Sequence, residues 1–238
     1  MKHWETFVLK YFTHVIFQCQ VRKYNYMNVI DISQKNPIVR HYMAEIRDVD
    51  KQQYMCQFRR NIYKLGILLA VESSKELDYQ HKTIKTPFSK ANVDRLIDYP
   101  IIYSIIRAGI KLQEGVSVIY EDSLCGFSTC KKDCHGMRRA ELYTLCETTN
   151  KIVFVCDPIA ATGNSIIETV RAIEANGMPS KIIILNIITT PLAINNIQNA
   201  IKESTSIYTC AIDDFTKGIR GTMPGLGDVG DLLYGKNK

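Results

Sequence analysis

The stretch Lys151-Ile152-Val153-Phe154-Val155-Cys156, followed by Asp157-Pro158-Ile159-Ala160-Ala161-Thr162-Gly163-Asn164-Ser165, decides the fold. An unbroken apolar run that stops at a polar, glycine-containing turn reads as a strand covered on both faces. The turn leads into a helix over residues 166–176, Gly177 stops that helix, and a second apolar run over 181–188 follows. Strand, helix and strand in this order make a βαβ unit, whose crossover places the two strands parallel.

The same alternation continues outward. Thr190 is a plausible cap for a helix over 191–201, and residues 207–212 read as a further strand. Upstream, Pro100 and the run Ile101-Ile102-Tyr103-Ser104-Ile105-Ile106 form another buried strand that stops at Arg107-Ala108-Gly109. Met55, Phe58, Ile62, Leu65 and Leu69 recur at steps of three and four, the stripe of a long helix reaching about Leu77. Asn36 and Pro37 are suited to the cap and first position of a shorter helix running to Ile46. Residues 48–51 read as a loop, and the segment containing Thr86 and Pro87 as a polar connection. The expected fold class is α/β, a mostly parallel open sheet flanked by helices. After Asp214 the chain carries Gly218, Gly221, Gly225, Gly227 and Gly230 with no helix or strand period, and reads as a small glycine-rich C-terminal hood over 214–235. Residues 1–35 show no clear period and read as an N-terminal extension or arm, with Met27 as plausible a start as Met1, so that 36–238 make a single domain.

Composition narrows the class. With 238 residues, 46% of them hydrophobic, the chain suits one substantial core. A net charge of +6 fits a site for phosphorylated ligands at least as well as a nucleic-acid surface. The eight cysteines are scattered, as expected of reduced thiols in a cytosolic protein. Cys125, Cys130, Cys134 and His135 are zinc-capable side chains, but no C-x-x-C pair accompanies them, and free thiols are the plainer reading. No apolar run reaches the roughly 18 residues of a membrane span, and no signal peptide is read at the start.

The turn after Cys156 carries the chemistry. It delivers the chain from the carboxyl end of a buried strand to a helix N-terminus, where backbone N–H groups and the helix dipole favour a phosphate, beside the Thr162 and Ser165 hydroxyls. Ligands in open α/β sheets lie at such strand ends, and the Asp157 carboxylate suits ribose hydroxyls. The competing reading is an ordinary turn in which Thr162 or Ser165 only caps the helix. The segment has neither the Walker A lysine nor the G-x-G-x-x-G pattern.

Asp157 to Ser165 resembles the 5-phosphoribosyl-1-diphosphate (PRPP) loop of the type I phosphoribosyltransferases, in the Asp-Pro form of uracil phosphoribosyltransferases. Ile106-Arg107-Ala108-Gly109 is similar to that family's Leu-Arg-Ala-Gly. Pro224-Gly225-Leu226-Gly227-Asp228-Val229-Gly230-Asp231 is similar to its C-terminal Pro-Gly-Leu-Gly-Asp-Ala-Gly-Asp, the most specific of the three motifs. The likeness runs from about Asn36 to Gly235 and takes in Ile46-Arg47-Asp48 and Thr86-Pro87.

The resemblance implies a type I phosphoribosyltransferase-like fold and an enzyme that joins uracil to PRPP, giving UMP and pyrophosphate in pyrimidine salvage. By the same likeness, PRPP would be bound by Asp157, Pro158, Ile159, Ala160, Ala161, Thr162, Gly163, Asn164 and Ser165. Arg107 and Lys132 would meet the pyrophosphate, and Asp228 the PRPP and magnesium region. Uracil would meet the backbone of Thr222, Gly227 and Val229, beside Asp228. Catalysis would rest on Asp157, Arg107, Lys132 and Asp228, with Mg2+ held mainly through PRPP and no protein ligand assigned. The resemblance further implies a cytoplasmic homodimer or higher homo-oligomer, possible allosteric GTP, and neither membrane nor nucleic acid as partner. Asn164 stands where the family has a second glycine, and Ala160 where a larger apolar residue is common. An ungapped count places residues 125–132 on a strand that ends with Lys132 at the family's pyrophosphate arginine, before a mobile loop over 133–147. Taken in isolation, Arg107 is a surface arginine at a strand end and Asp228 a turn aspartate bonding its own backbone. The basic stretch Lys131, Lys132, His135, Arg138 and Arg139 could close on pyrophosphate, bind RNA or form a solvated loop. A noncatalytic PRPP or UMP sensor is the alternative function.

Overall fold

The computed structural model describes residues 27–132, 138–201, 204–217 and 221–236. Seven strands form one sheet in the order β1-β11-β9-β7-β4-β5-β6. These are β1 (Asn28–Asp31), β4 (Ile101–Ile105), β5 (Cys125–Lys132), β6 (Arg138–Leu142), β7 (Ile152–Cys156), β9 (Lys181–Asn186) and β11 (Thr205–Thr209). Every neighbouring pair is parallel except β5 with β6, which is the expected mostly parallel α/β sheet.

The sheet sorts its apolar residues by parity. Ile102, Phe154, Cys156, Ile183, Leu185 and Tyr208 face one core, packed against α1 (Pro37–Arg47), α3 (Met55–Ser73), α4 (Gly109–Ser117) and α7 (Val229–Tyr234). Ile101, Tyr103, Ile105, Val153, Val155, Ile182, Ile184 and Ile207 face the other, under α5 (Asn164–Glu174) and α6 (Pro191–Ala200). Side chains alternate along a strand, so a run apolar at every position serves both layers. Of the expected stripe, Phe58, Ile62, Leu65 and Leu69 are buried core, whereas Met55, in the first turn of α3, is exposed, and the helix ends at Ser73 rather than near Leu77.

Several expectations are corrected. The stretch read as an arm contributes β1, the parallel edge partner of β11, so the sheet begins before residue 36; residues 1–26 lie outside the described residues. The expected loop at 48–51 is a short helix, α2 (Val49–Gln52), started by the Asp48 carboxylate accepting from Asp50 N. The polar connection is an antiparallel hairpin of β2 (Tyr79–Lys85), exposed at every position but Ile84, and β3 (Lys90–Leu96), where only Ala91 and Val93 alternate with polar neighbours, too short a signal to announce it. The expected mobile loop over 133–147 contains β6, paired antiparallel with β5 through Lys132–Arg138 and Cys130–Ala140. Its consecutive arginines masked a strand. The hood, read as period-free, holds a hairpin of β12 (Asp214–Thr216) and β13 (Gly221–Met223) and then α7. Those elements are too short to leave a period in sequence.

Candidate active site

The carboxyl ends of β4 and β7 open onto a cleft of about 280 Å³, lined by Ala108, Asp157, residues 159–165 and residues 227–230. One wall is the turn after β7. Its course is fixed from behind: Asp157 N donates to Leu185 O at 3.2 Å, and Pro158 O accepts from Ile187 N and Ile188 N at 3.0 and 2.9 Å. Ile159–Ala160 then pairs as β8 with β10 (Ile188–Thr189). The buried Asn186 side chain donates to Asp157 O.

Two further carbonyls are held on the side away from the cleft. Thr190 Oγ1 donates to Ala161 O at 2.7 Å and accepts from Ala193 N, while Asn196 Nδ2 donates to Thr162 O at 3.0 Å. Across a trans peptide the carbonyl of one residue and the N–H of the next point in opposite directions. The N–H groups of Thr162 and Gly163 therefore face away from α6, on the open side. Gly163 is the N-cap of α5 in the left-handed region, φ 75°. A Cβ there would lie 2.9 Å from Ile197 Cγ1 and 3.1 Å from Ala193 O, so glycine is required on both counts. With glycine at the cap, neither Thr162 nor Ser165 is the N-cap residue, and the simple capping reading of the turn does not hold. The first helical turn, Asn164 and Ser165, lines the cleft at the positive end of the helix dipole.

The opposite wall is the glycine-rich tail. Asp228 is the N-cap of α7, its Oδ1 accepting from Asp231 N at 3.1 Å, while its residue also lines the cleft. Arg107 lies beside the cleft and its Nη2 donates to Asp231 Oδ1 at 3.2 Å. Gly230 packs beside Asp228 and Arg107, a Cβ there lying 3.3 Å from Asp228 Oδ1 and 3.4 Å from Arg107 Nη2. The walls also touch directly: Gly221, at φ 95°, would bring a Cβ to 2.6 Å from the Ala161 Cβ.

Of the residues singled out in sequence, Asp157, Ile159 to Ser165, Gly227, Asp228 and Val229 share the one cleft. Pro158 is buried beneath it. Arg107 stands at its side, and Thr222 sits in β13 away from the lining, its carbonyl close against Gly225. Lys132 ends β5, opposite Arg138; their side chains, with Cys134 and His135, lie outside the described residues. Asn186, Thr190, Asn196 and Asp213 were not expected at the site. A buried polar residue at a strand end or in a helix's first turns is the signal that could have found them. Burial pushes the Cys156 thiol well above the usual range, with Asp157 adding to the effect. That thiol stays protonated and is no nucleophile.

Asp157 and Asp228 are the carboxylates lining the cleft. Among the described residues no group of three or more His, Cys, Asp or Glu could hold a metal ion. This donor set suits a divalent cation that arrives on a ligand's phosphates and meets the protein through one or two carboxylates.

The family model for uracil phosphoribosyltransferase matches residues 32–236. The uracil phosphoribosyltransferase of Porphyromonas gingivalis is 29% identical over 214 residues, covering 88% of this chain and 99% of the relative. That of Methanothermobacter thermautotrophicus is 28% identical over 216 residues, covering 88% and 95%. The solved structure of the AQ2163 protein from Aquifex aeolicus superposes with a TM-score of 0.75 at 26% identity, covering 87% of this chain and 98% of that one.

Proposed function

The chain belongs to the uracil phosphoribosyltransferase family, and from that premise we propose that it transfers the phosphoribosyl group of PRPP to uracil, forming UMP and pyrophosphate. The observation that carries this reading is the meeting of the phosphate-type turn and residues 227–230 across one cleft. The amides of residues 161–165 receive the 5-phosphate, and the Asp157 carboxylate accepts from the ribose hydroxyls. The base lies against the tail backbone, where Gly227 and Val229 supply a fixed pattern of N–H and C=O groups. The cleft lining favours these two over Thr222 as base-facing groups.

Holding uracil N1 against the anomeric carbon makes the displacement effectively unimolecular. The ribosyl centre gains cationic character as pyrophosphate leaves toward Arg107 and Lys132, whose charges stabilise the departing diphosphate. No protein nucleophile is needed, in keeping with the protonated, buried Cys156 thiol. Asp157 and Asp228 are the cleft carboxylates that would meet magnesium arriving with PRPP, where the ion would offset diphosphate charge. A homo-oligomer, activation by GTP and a cytoplasmic location belong to the same proposal and rest on the family likeness. Among the described residues no helix is long and apolar enough to cross a membrane.

Purified protein given labelled uracil, PRPP and magnesium should form labelled UMP. Tight PRPP binding without any UMP would assign the chain instead to the noncatalytic sensors. Because each wrongly paired buried group costs about 1–3 kcal/mol, uracil should be preferred over cytosine by at least roughly tenfold in kcat/KM. Comparable rates with the two bases would remove the tail from base recognition.

A further inference from the structure

We propose that Arg47 and Asp213 form a positioning pair that sets the affinity for the base far more than the affinity for PRPP. The proposal rests on the phosphoribosyl-transfer reading of the cleft and assigns a role to residues that do not line it. Arg47 Nη1 and Nη2 donate to Asp213 Oδ2 and Oδ1 at 2.9 and 2.7 Å, a two-pronged pair with the Asp213 side chain only 4% exposed. The same two side chains grip Gly225: Arg47 Nη1 donates to its carbonyl at 3.1 Å, and Asp213 Oδ2 accepts from its amide at 2.8 Å. Gln52 Nε2 takes the next carbonyl, Leu226 O, at 2.8 Å, while also donating to Ile46 O.

Three backbone polar groups just before the cleft segment, Gly225 N–H, Gly225 C=O and Leu226 C=O, are thus bound to side chains behind it. Gly225 lies at φ 62°, where a Cβ would meet Thr222 O at 2.5 Å, so the turn into the segment is itself narrowly defined. Backbone polar groups point alternately as peptide planes turn. The Leu226 carbonyl shares its peptide plane with Gly227 N–H, so holding the planes at 225 and 226 sets the direction of Gly227 N–H, the first base-facing group, and the point from which the chain continues through 228 and 229. The side chains that hold the phosphate wall's carbonyls, Asn186, Thr190 and Asn196, lie outside this network. The pair meets that wall only through the main chain, where Asp213 N donates to Thr189 O at 2.9 Å, a bond that a side-chain substitution leaves in place. Damage to the pair should therefore appear chiefly in base binding.

The test compares wild type with Arg47→Met, Asp213→Asn, the double variant, Arg47→Lys and Gln52→Leu, by steady-state kinetics and by calorimetric binding of UMP and of ribose 5-phosphate. Losing a hydrogen bond to a charged group should raise the KM for uracil about tenfold and weaken UMP to a similar degree. The KM for PRPP and the binding of ribose 5-phosphate should change by less than about twofold, and the double variant should be no worse than either single one, since the two act as a unit. Arg47→Lys should recover part of the loss. Breaking a buried ion pair can unfold a protein. If Arg47→Met or Asp213→Asn does not fold, Gln52→Leu and Arg47→Lys, which leave no buried carboxylate without a cation, carry the same comparison and should show a several-fold rise for uracil alone. Wild-type activity with unchanged uracil KM in the variants, or with uracil and PRPP constants rising together, would overturn the pair. Absence of UMP formation by wild type, with the UMP against ribose 5-phosphate difference intact, would overturn the transfer reading and leave the pair standing.

Discussion

The two walls of the cleft are built on different scales. The phosphate wall is local: Asp157 to Ser165 are contiguous, and their shape follows from one strand end, one helix start and the neighbouring β9–α6 connection. The tail wall is assembled from afar. Arg47 reaches Asp213 across 166 residues and Gly225 across 178, Gln52 reaches Leu226 across 174, and Arg59 Nε holds Leu233 O across 174. On the proposed reading, the local wall would seat the phosphoryl end of the substrate. A wall held by long-range side-chain bonds can be retuned for its ligand without disturbing that seat.

The largest expected effect tests whether the local wall does chemistry. Asp157→Asn keeps the shape of the side chain and removes its charge. A charge-assisted hydrogen bond is worth about 1.5–3 kcal/mol, so losing two of them to the ribose should lower kcat on the order of a hundredfold or more. The melting temperature should hold, because the backbone of Asp157, bonded to Leu185 O and Asn186, is untouched. An unchanged rate at saturating PRPP would take Asp157 out of the mechanism.

Gly163→Ala attacks the geometry of the same wall. The added methyl meets Ile197 Cγ1 at 2.9 Å at a φ of 75°. Strain of about 1–3 kcal/mol should lower the melting temperature by roughly 2–4 °C per kcal/mol and raise the KM for PRPP about tenfold. The uracil KM should change less. A uracil effect equal to the PRPP effect would mean that the walls are mechanically one, transmitted through the Gly221–Ala161 contact.

The difference in scale also explains what was legible in sequence. The buried strands at 101–105, 152–156 and 181–186 and the loop at 157–165 announce themselves through contiguous apolar runs and a polar turn. The helix stripe at Phe58, Ile62 and Leu65 does so through its period. Arg47 has no such mark, since its partner is a lone aspartate far along the chain. Asn186 reads as the end of an apolar strand until its side chain is seen bonding Asp157 O. The β2–β3 hairpin was hidden because β2 is exposed on both faces at all but Ile84 and β3 alternates only over Ala91 and Val93. The hood's elements, three residues each in β12 and β13 and six in α7, are shorter than any window in which a period can be counted.

A smaller effect is expected at Lys132, which ends β5 where it could extend the local wall toward the leaving group. An ammonium offers a compact charge where a guanidinium offers a planar fork. Lys132→Arg should lower the KM for PRPP by about fivefold, equivalent to roughly 1 kcal/mol. Lys132→Ala should raise it and leave the KM for uracil alone. If Lys132→Ala is silent while Arg138→Ala or Arg139→Ala damages PRPP binding, the pyrophosphate contact belongs to β6.

The smallest expected effect lies at the root of the tail wall, where Glu45 fixes the helices that present Arg47 and Gln52. Its carboxylate accepts from Lys51 at 3.0 Å, from Asn61 at 2.8 Å and from Gln57 at 3.4 Å. Lys51 first and Asn61 next hold its pKa down to about 2, against an ordinary value of 4.5. A carboxylate whose folded pKa is depressed contributes stability that is fully present above the unfolded value and is lost as pH falls toward the folded one. The contribution of Glu45 should therefore be intact at neutral pH and fade between about 4.5 and about 2. Glu45→Gln cannot titrate, so its melting temperature should lie below wild type at pH 7 and the gap should close on acidification through that window. The residue is bonded to α2 and α3 and not to the phosphate loop, so at pH 7 the variant should shift the KM for uracil more than that for PRPP. A gap in melting temperature that stays constant from pH 7 to pH 3 would show that the Glu45 charge does not hold the base of the tail wall, and that packing of α1 on α3 does.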